Sequence, residues 1–308
     1  MKQPIIKFIE INNRTALRDD VMRIRIRQKI GEPLNITQLE EDLSYIYGLD
    51  YSGSVVYSLK QRDGEHGLAI FIRDREWADS YLQFGLSIES AFEVLSISNF
   101  SVSYNKNNLN DLAGEFRAVG VIGSEPELTA ELYQPVNINL DTFVSLKTGF
   151  NTQIVPTLID DHIESVQRVN RTFVTLSAGQ IFLQNTNFSL GLSYNDGNIN
   201  SIAGLKASQP NFIESYYYVK LFHDSLDNLS FPNRGFYSSI SYADNREELG
   251  ASSDFEQIKM IISGARTFDR YTIFGRAIAE TVESDDPLSL NSLLIHGGFL
   301  ELSGTIRN

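Results

Sequence analysis

The chain has 308 residues, with 42% hydrophobic and 21% charged side chains, a net charge of −13 and no cysteine. It can hold one large domain or two unequal ones, while disulfides, thiolate metal sites and cysteine nucleophiles are excluded. The acidic balance argues against nucleic acid as a partner, and no window approaches the ~18 consecutive apolar residues of a transmembrane helix. A mean hydropathy of −0.17 would suit a water-soluble protein. It equally suits a membrane barrel, whose strands alternate apolar and polar residues and never build a long apolar run.

Met1 leads directly into Ile5–Ile11, read as a strand, with no basic n-region, apolar core and small-residue cleavage site, so no secretory leader is expected within this stretch. The apolar spacing of Leu17, Val21 and Ile24, with Gln28 as an optional fourth position on that side, predicts a helix over 15–30 closed by Gly31. On it, Arg23 and Arg27 of the basic run Arg23–Arg27 would share a solvated face. Asn35-Ile-Thr37 offers a cap for a second helix over 38–47, with Leu39, Leu43 and Ile46 as its apolar stripe, Glu40, Glu41 and Asp42 near its start and Gly48 as the C′ residue. Strands over 54–62 and 67–73 follow, joined through Asp63-Gly64, a hairpin pair. Residues 1–76 thus form a small α+β unit of order β-α-α-β-β, too short to bury much surface alone.

From Trp77 the grammar changes. In Tyr81–Glu89, Leu82, Phe84, Leu86 and Ile88 alternate with polar or small residues. In Asn187–Asn195, Phe188, Leu190, Leu192 and Tyr194 do the same. Successive strand side chains face opposite sides, so each run has one greasy and one polar face. Strand-like segments are read at 81–89, 95–105, 113–122, 127–135, 142–151 and 170–183. They continue at 187–197, 200–206, 214–225, 235–245, 255–268, 270–283 and 293–302. Linkers at 105–108, 123–126, 195–198 and 283–287 separate some of them, and lengths of ~9–11 residues suit a bilayer crossing.

Aromatics near strand ends, such as Phe212 with Tyr216–Tyr218 and Phe231 with Phe236–Tyr237, read as interfacial girdles. The polar face, rich in Ser, Gly, Thr, Asn and Gln with Lys147, Lys259, Arg276 and Glu280, suits a hydrated lumen where ionic groups pair. The fold class is therefore mainly β: a small α+β domain over 1–76, then an antiparallel transmembrane β-barrel over 77–308 with its greasy face in lipid. A soluble β-sandwich binding protein, with the same face turned inward, is the rival architecture.

Chemistry is sparse. His66, His162, His223 and His296 are scattered and form no metal-ligand spacing. Asp160-Asp161-His162 and Asp285-Asp286 read as solvated loops. No Gly-x-Ser-x-Gly elbow, Gly-x-Gly-x-x-Gly or phosphate loop occurs, and the paired carboxylates lie on a helix or in loops. No catalytic, cofactor-binding or metal residues are assigned; the chain itself reads as not an enzyme.

Ile30-Gly-Glu-Pro-Leu-Asn35 and Leu39–Asp50 resemble the polypeptide-transport-associated (POTRA) domain, in the version attached to bacterial patatin-like phospholipases. Trp77 with Tyr81–Leu86, Leu109–Arg117, Glu131–Pro135, Gly297–Gly304 and Asp227–Gly235 are similar to strings of the barrel that follows it, of the bacterial surface antigen superfamily. On this resemblance the structural motif residues are Gly31, Pro33, Leu34, Tyr47, Gly48, Phe231, Pro232, Arg234, Gly235, Gly297, Gly298 and Gly304.

The resemblance implies an outer-membrane anchor or translocator, an autotransporter region with residues 1–76 in the periplasm and a patatin-like phospholipase passenger. Its partners would be outer-membrane lipid and a passenger or client polypeptide, with association of two copies left open and no cofactor or nucleic acid. The alternative within the superfamily is a barrel for assembly or two-partner secretion of a separate protein. The patatin catalytic region is missing, so neither half of its Ser-Asp dyad carries over; Asp63-Gly64 and Asp196-Gly197 read as hairpin turns. A family barrel of about sixteen strands would here lack its last few and leave open edges that are costly in hydrocarbon, so a fragment or a broken reading frame is expected.

Overall fold

The computed structural model describes residues 3–48, 52–74, 80–91, 95–159, 162–183, 185–204, 210–228 and 231–284. The predicted strand 293–302, with Gly297, Gly298 and Gly304, lies outside them, as do Trp77, Asp160, Asp161, Asp285 and Asp286. The described residues fall into two compact units. One comprises residues 1–83, 104–117 and 132–143; the other comprises 84–103, 118–131 and 144–308.

The first unit contains β1 (Ile6–Arg14), α1 (Asp19–Arg23), α2 (Ile36–Gly48), β2 (Ser54–Arg62) and β3 (Glu65–Arg73), the predicted β-α-α-β-β order. The sheet order is β1-β3-β2, with β1 parallel and β2 antiparallel to β3. The Asp63-Gly64 turn has φ of +52° and +81°, the left-handed geometry a two-residue hairpin requires. On α2, Leu39, Leu43 and Ile46 bury against Leu68, Ile70 and Ile72 of β3, the central strand. Each such side chain contributes about 1.5–3 kcal/mol on burial. Asn35 caps the helix, accepting the Gln38 N–H at 3.1 Å.

Three local expectations fail here. The first helix spans five residues rather than 15–30. Beyond Arg23, burial alternates: Ile26 and Gln28 are inside while Ile24 and Arg27 are exposed. That is an extended, period-2 pattern, so Arg23 and Arg27 share no helical face. Arg27 instead pairs with Asp42 and Glu41 of α2, which raises its pKa through hydrogen bonds to Glu41 first and Asp42 second. Because α2 starts at Ile36, Glu40–Asp42 sit past its first turn. Gly48 closes α2 as a helical residue and is not among the positive-φ glycines, so it is no left-handed C′ cap.

The second sheet runs in chain order without crossovers: β4 (Ser80–Ala91), β5 (Leu95–Lys106), β6 (Glu115–Gly123), β7 (Glu127–Pro135), β8 (Thr142–Ile159), β9 (His162–Phe182), β10 (Thr186–Gly204), β11 (Asn211–Asp224), β12 (Arg234–Asn245), β13 (Phe255–Phe268) and β14 (Tyr271–Glu283). The sole helical turn among them is Glu247–Leu249, a 3-10 turn in the described residues. β8, β9 and β10 have 18, 21 and 19 residues, longer than the predicted crossing length. Of the predicted 200–206 segment, residues 200–204 are the end of β10 and the rest lies outside the described residues.

Asp196-Gly197, expected as a hairpin turn, lies inside β10, flanked by Thr172-Arg171 on β9 and Ile213-Phe212 on β11. Gly197 is there for space. A Cβ on it would come within 2.2 Å of the Phe212 ring directly across the ladder. The same device places Gly191 beneath Tyr218 and, in the first unit, Gly67 beneath Phe8. At these three positions the strand glycine makes room for an aromatic ring on the neighbouring strand.

The polarity of the long sheet is inverted relative to a globular core. On β10, Gly191, Ser193, Asn195 and Gly197 are buried while Leu190, Leu192 and Tyr194 are exposed. Leu82, Phe84, Leu86 and Ile88 of β4 are 56%, 67%, 72% and 71% exposed. A sandwich would bury these side chains beneath a second sheet, so the sandwich alternative is overturned. Past Tyr194 the sense reverses: Asp196, Asn198 and Asn200 face out, and Ile199 joins Val155, Val169 and Phe212 in a small buried cluster.

Candidate membrane-facing and polypeptide-binding surfaces

Three features could bear function: the outward apolar band, the polar inner wall and the free strand edges. The register fixes the first. On β13, Ile258, Met260 and Ile262 share a face; their partners on β12 are Tyr242, Ile240 and Ser238, and those on β14 are Thr281, Ala279 and Ala277. Val219 and Leu221 of β11 continue the band to Leu190 and Phe188. Leu176 of β9 lies opposite Leu192.

Of the aromatics read as interfacial girdles, only some face outward. Phe231 and Phe236 are exposed, but Phe212, Tyr216 and Tyr218 have the opposite parity and line the inner wall. Only Tyr217 of that aromatic run faces outward. The run was unreadable in sequence because three consecutive tyrosines leave the strand's phase undefined.

A relay of hydroxyls and amides crosses the inner wall. Ser145 bonds Ser177 at 2.6 Å, Thr175 bonds Ser193 at 2.8 Å, Ser193 donates to Asn195, and Asn195 donates to Glu214 at 2.9 Å. Buried polar atoms need partners, and each hydroxyl meets its neighbour one strand over. Of the ionic residues read on the polar face, Lys259 and Glu280 pair at 3.1 Å, with Gln257 also donating to Glu280. A concavity of about 510 Å³ opens on this wall, lined by Lys147, Arg171, Phe173, Tyr216 and Tyr218 among others.

In the first unit, β3 is internal and β2 is an outer strand, with β1 at the other edge. Of the two hairpin strands, Ser54–Arg62 is therefore the one at an edge of the sheet. Val56 and Leu59 are exposed along it, while Lys60 and Arg62 reach across the sheet to Glu10 at 2.8 and 3.0 Å. The hydrogen bond from Lys60, chiefly, holds the Glu10 carboxyl below its ordinary pKa.

The motif residues separate into two groups. Gly31 (φ +92°), Pro33 and Leu34 form a turn stitched to β1: Gly31 donates to the Ile6 carbonyl, and Ile6 to that of Glu32. Leu34 is buried in the core, whereas Tyr47 is exposed. Gln28, read in the sequence only as a helix-stripe position, is buried and holds this turn through Asn35 N, Lys29 O and Pro33 O.

Phe231, Pro232, Arg234 and Gly235 belong to the β11–β12 turn. Asp227 organises it by accepting the N–H groups of Asn233 at 2.8 Å and Arg234 at 3.2 Å, which lower its pKa. Gly235 has φ +112°, and a Cβ there would lie 2.1 Å from the Ser225 carbonyl oxygen.

Residues 4–75 match the POTRA family, described as surface antigen variable number repeat. No curated protein matches the chain. Among solved structures, BamA from Haemophilus ducreyi lacking POTRA domains 1-3 is similar at 12% identity and a TM-score of 0.69, over 96% of this chain and 59% of that one. CdiB from Escherichia coli is similar at 15% and 0.54, over 92% and 55%. CdiB from Acinetobacter baumannii is similar at 10% and 0.52, over 93% and 54%.

The protein is thus a POTRA domain followed by a large antiparallel sheet with the barrel fold of BamA and CdiB. It spans 54–59% of the length of those chains.

Proposed function

We propose that this chain is the outer-membrane part of a polypeptide translocator: a periplasmic POTRA unit, residues 1–76, and a lipid-embedded barrel region, residues 77–308. One observation carries this reading. The sheet exposes Leu, Ile and Phe on one face and buries Ser, Asn and Gly on the other, which is stable only where hydrocarbon replaces water on the apolar side. The polarity reversal past Tyr194 supports it, since residues beyond the interface should face water again.

The open β2 edge would take an extended client by strand addition, where backbone hydrogen bonds give affinity without demanding one sequence. Through the resemblance of the POTRA strings, the client is a patatin-like phospholipase passenger in the same polypeptide, and this chain contributes no catalytic group. A barrel that assembles or secretes a separate protein uses the same two parts. The reading frame upstream of Met1 discriminates: a patatin region supports the passenger, whereas a leader followed by further POTRA units supports a separate client.

The membrane placement is tested by extracting the chain from membranes and comparing heated with unheated samples on a denaturing gel. Heat-modifiable migration is expected. A freely water-soluble monomer whose migration ignores heating would overturn the proposal.

A further inference from the structure

The register sets two arginines side by side on the outward face. Arg234, the first residue of β12, is the direct partner of Arg266 on β13. Both share the parity of Ile240, Met260 and Ile262, so they continue the apolar band at the end where the β11–β12 and β13–β14 turns lie. Like charges directly opposed across a ladder are destabilising.

Among the described residues, no carboxylate forms an ion pair with Arg234, with Arg266 or with Arg270 in the next turn. The nearby Asp227 spends its Oδ1 on the backbone N–H groups of Asn233 and Arg234. All three arginines are exposed.

Aromatic rings surround them. Arg266 lies 5.0 Å from the Phe268 ring centroid and Arg270 lies 5.1 Å from that of Tyr271. Phe236 is exposed next to Arg234. The band is bounded at both ends by charged residues. From Arg266 to Glu256 on β13 are ten residue steps, about 34 Å of strand and roughly 24 Å of height at a tilt near 45°, close to the apolar band of a membrane barrel. At the far end, Glu256 and the buried Asp244 both pair with Arg246, and Glu283 lies opposite Glu256 in register.

We propose that Arg234 and Arg266 bind the phosphodiester of an anionic phospholipid, whose acyl chains lie along Ile240, Met260, Ile262 and Ile273. A guanidinium presents a planar fork that matches phosphate oxygens, and one anion between the two arginines removes their mutual repulsion. Aromatic rings at this level suit the headgroup region. Free phosphate would use the arginines alone; a phospholipid uses the arginines and the apolar strip above them. The inference rests on the proposed membrane placement.

The test is native mass spectrometry of the full chain released from nanodiscs containing equal phosphatidylglycerol and phosphatidylethanolamine. Wild type should retain phosphatidylglycerol in about tenfold excess, following the favourable interaction of each arginine with an anionic surface. The variant Arg234→Gln/Arg266→Gln should insert and lose most of that excess, whereas Lys147→Gln, on the inner wall, should keep it. Excess inorganic phosphate should leave retention unchanged.

Equal retention of both lipids by wild type, an unchanged excess in the double variant, the same loss in Lys147→Gln, or displacement by inorganic phosphate overturns the site. A wild-type chain that enters no disc overturns the membrane placement itself and the site with it. Arg266→Gln alone, which leaves the Asp227 turn intact, should give a partial loss; no loss there would remove Arg266 from the site.

Discussion

The two regions use one period-2 pattern in opposite senses. In the POTRA unit, Leu68, Ile70 and Ile72 on β3 are fully buried beneath α2, while the alternate positions Gly67, Ala69 and Phe71 turn to the other face of the sheet, where they are buried or half-buried. In the long sheet, Leu190 and Leu192 are exposed and Ser193 and Asn195 are buried. Alternation therefore identifies a strand and its two faces but leaves open which face is dry. The partner decides: a helix covers the apolar face in one case, and in our reading lipid covers it in the other. No helix among the described residues is long or apolar enough to cross a membrane, so any crossing belongs to the strands.

This contrast can be broken by substitution. The largest effect is expected for Leu39→Ala, which empties a fully buried site and should cost about 2–5 kcal/mol. Hydrogen exchange of the full chain should show it as faster exchange across α2 and β3.

Leu190→Arg should cost about 2–4 kcal/mol if this exposed position meets hydrocarbon. It should do so only in a bilayer, read as loss of the heat-modifiable band, and an equal loss in water would place the residue in a buried core. Gly197→Ala drives a Cβ into the Phe212 ring and should cost about 1–3 kcal/mol by overpacking, visible as a lower denaturant midpoint. Asn35→Ala removes the α2 cap at about 1 kcal/mol and should fray the first turn of the helix with the sheet unchanged.

The smallest effect is a pH dependence in the β11–β12 turn. Backbone N–H groups hold the Asp227 pKa below its ordinary value of 3.8. Its contribution is therefore full above that value and lost as pH falls through the lower folded value. Exchange at the Asn233 and Arg234 amides should rise only in that acidic window, and Asp227→Asn should remove the dependence.

Much of the organisation was legible in the residues. The β-α-α-β-β order, the Leu39-Leu43-Ile46 stripe, the Asp63-Gly64 hairpin and the alternating faces of β4 and β10 all follow from local chemistry. The misreadings have physical causes. The run Arg23–Arg27 could be placed on a helix or an extended segment, and burial of Ile26 and Gln28 against the core selected the latter. Asp196-Gly197 carries turn residues, but the glycine accommodates a ring from the next strand, a pairing that no local window contains. The strand phase across Tyr216–Tyr218 was hidden because three consecutive tyrosines put an aromatic ring on both faces. In the candidate site, the motif turn at Phe231–Gly235 was visible as a string. That Asp227 organises it, and that Arg234 stands opposite Arg266, needed the register.

The chain has no cysteine, which permits a direct test of the inverted sheet. Single cysteines placed in turn at positions 188 to 194 would carry spin labels on chain reconstituted into vesicles, with collision rates measured against oxygen and a water-soluble relaxant. Oxygen maxima at 188, 190, 192 and 194, with relaxant maxima at the positions between, are expected. Labels at the even positions that meet water freely, or that meet neither reagent because protein covers them, would contradict a lipid-facing band.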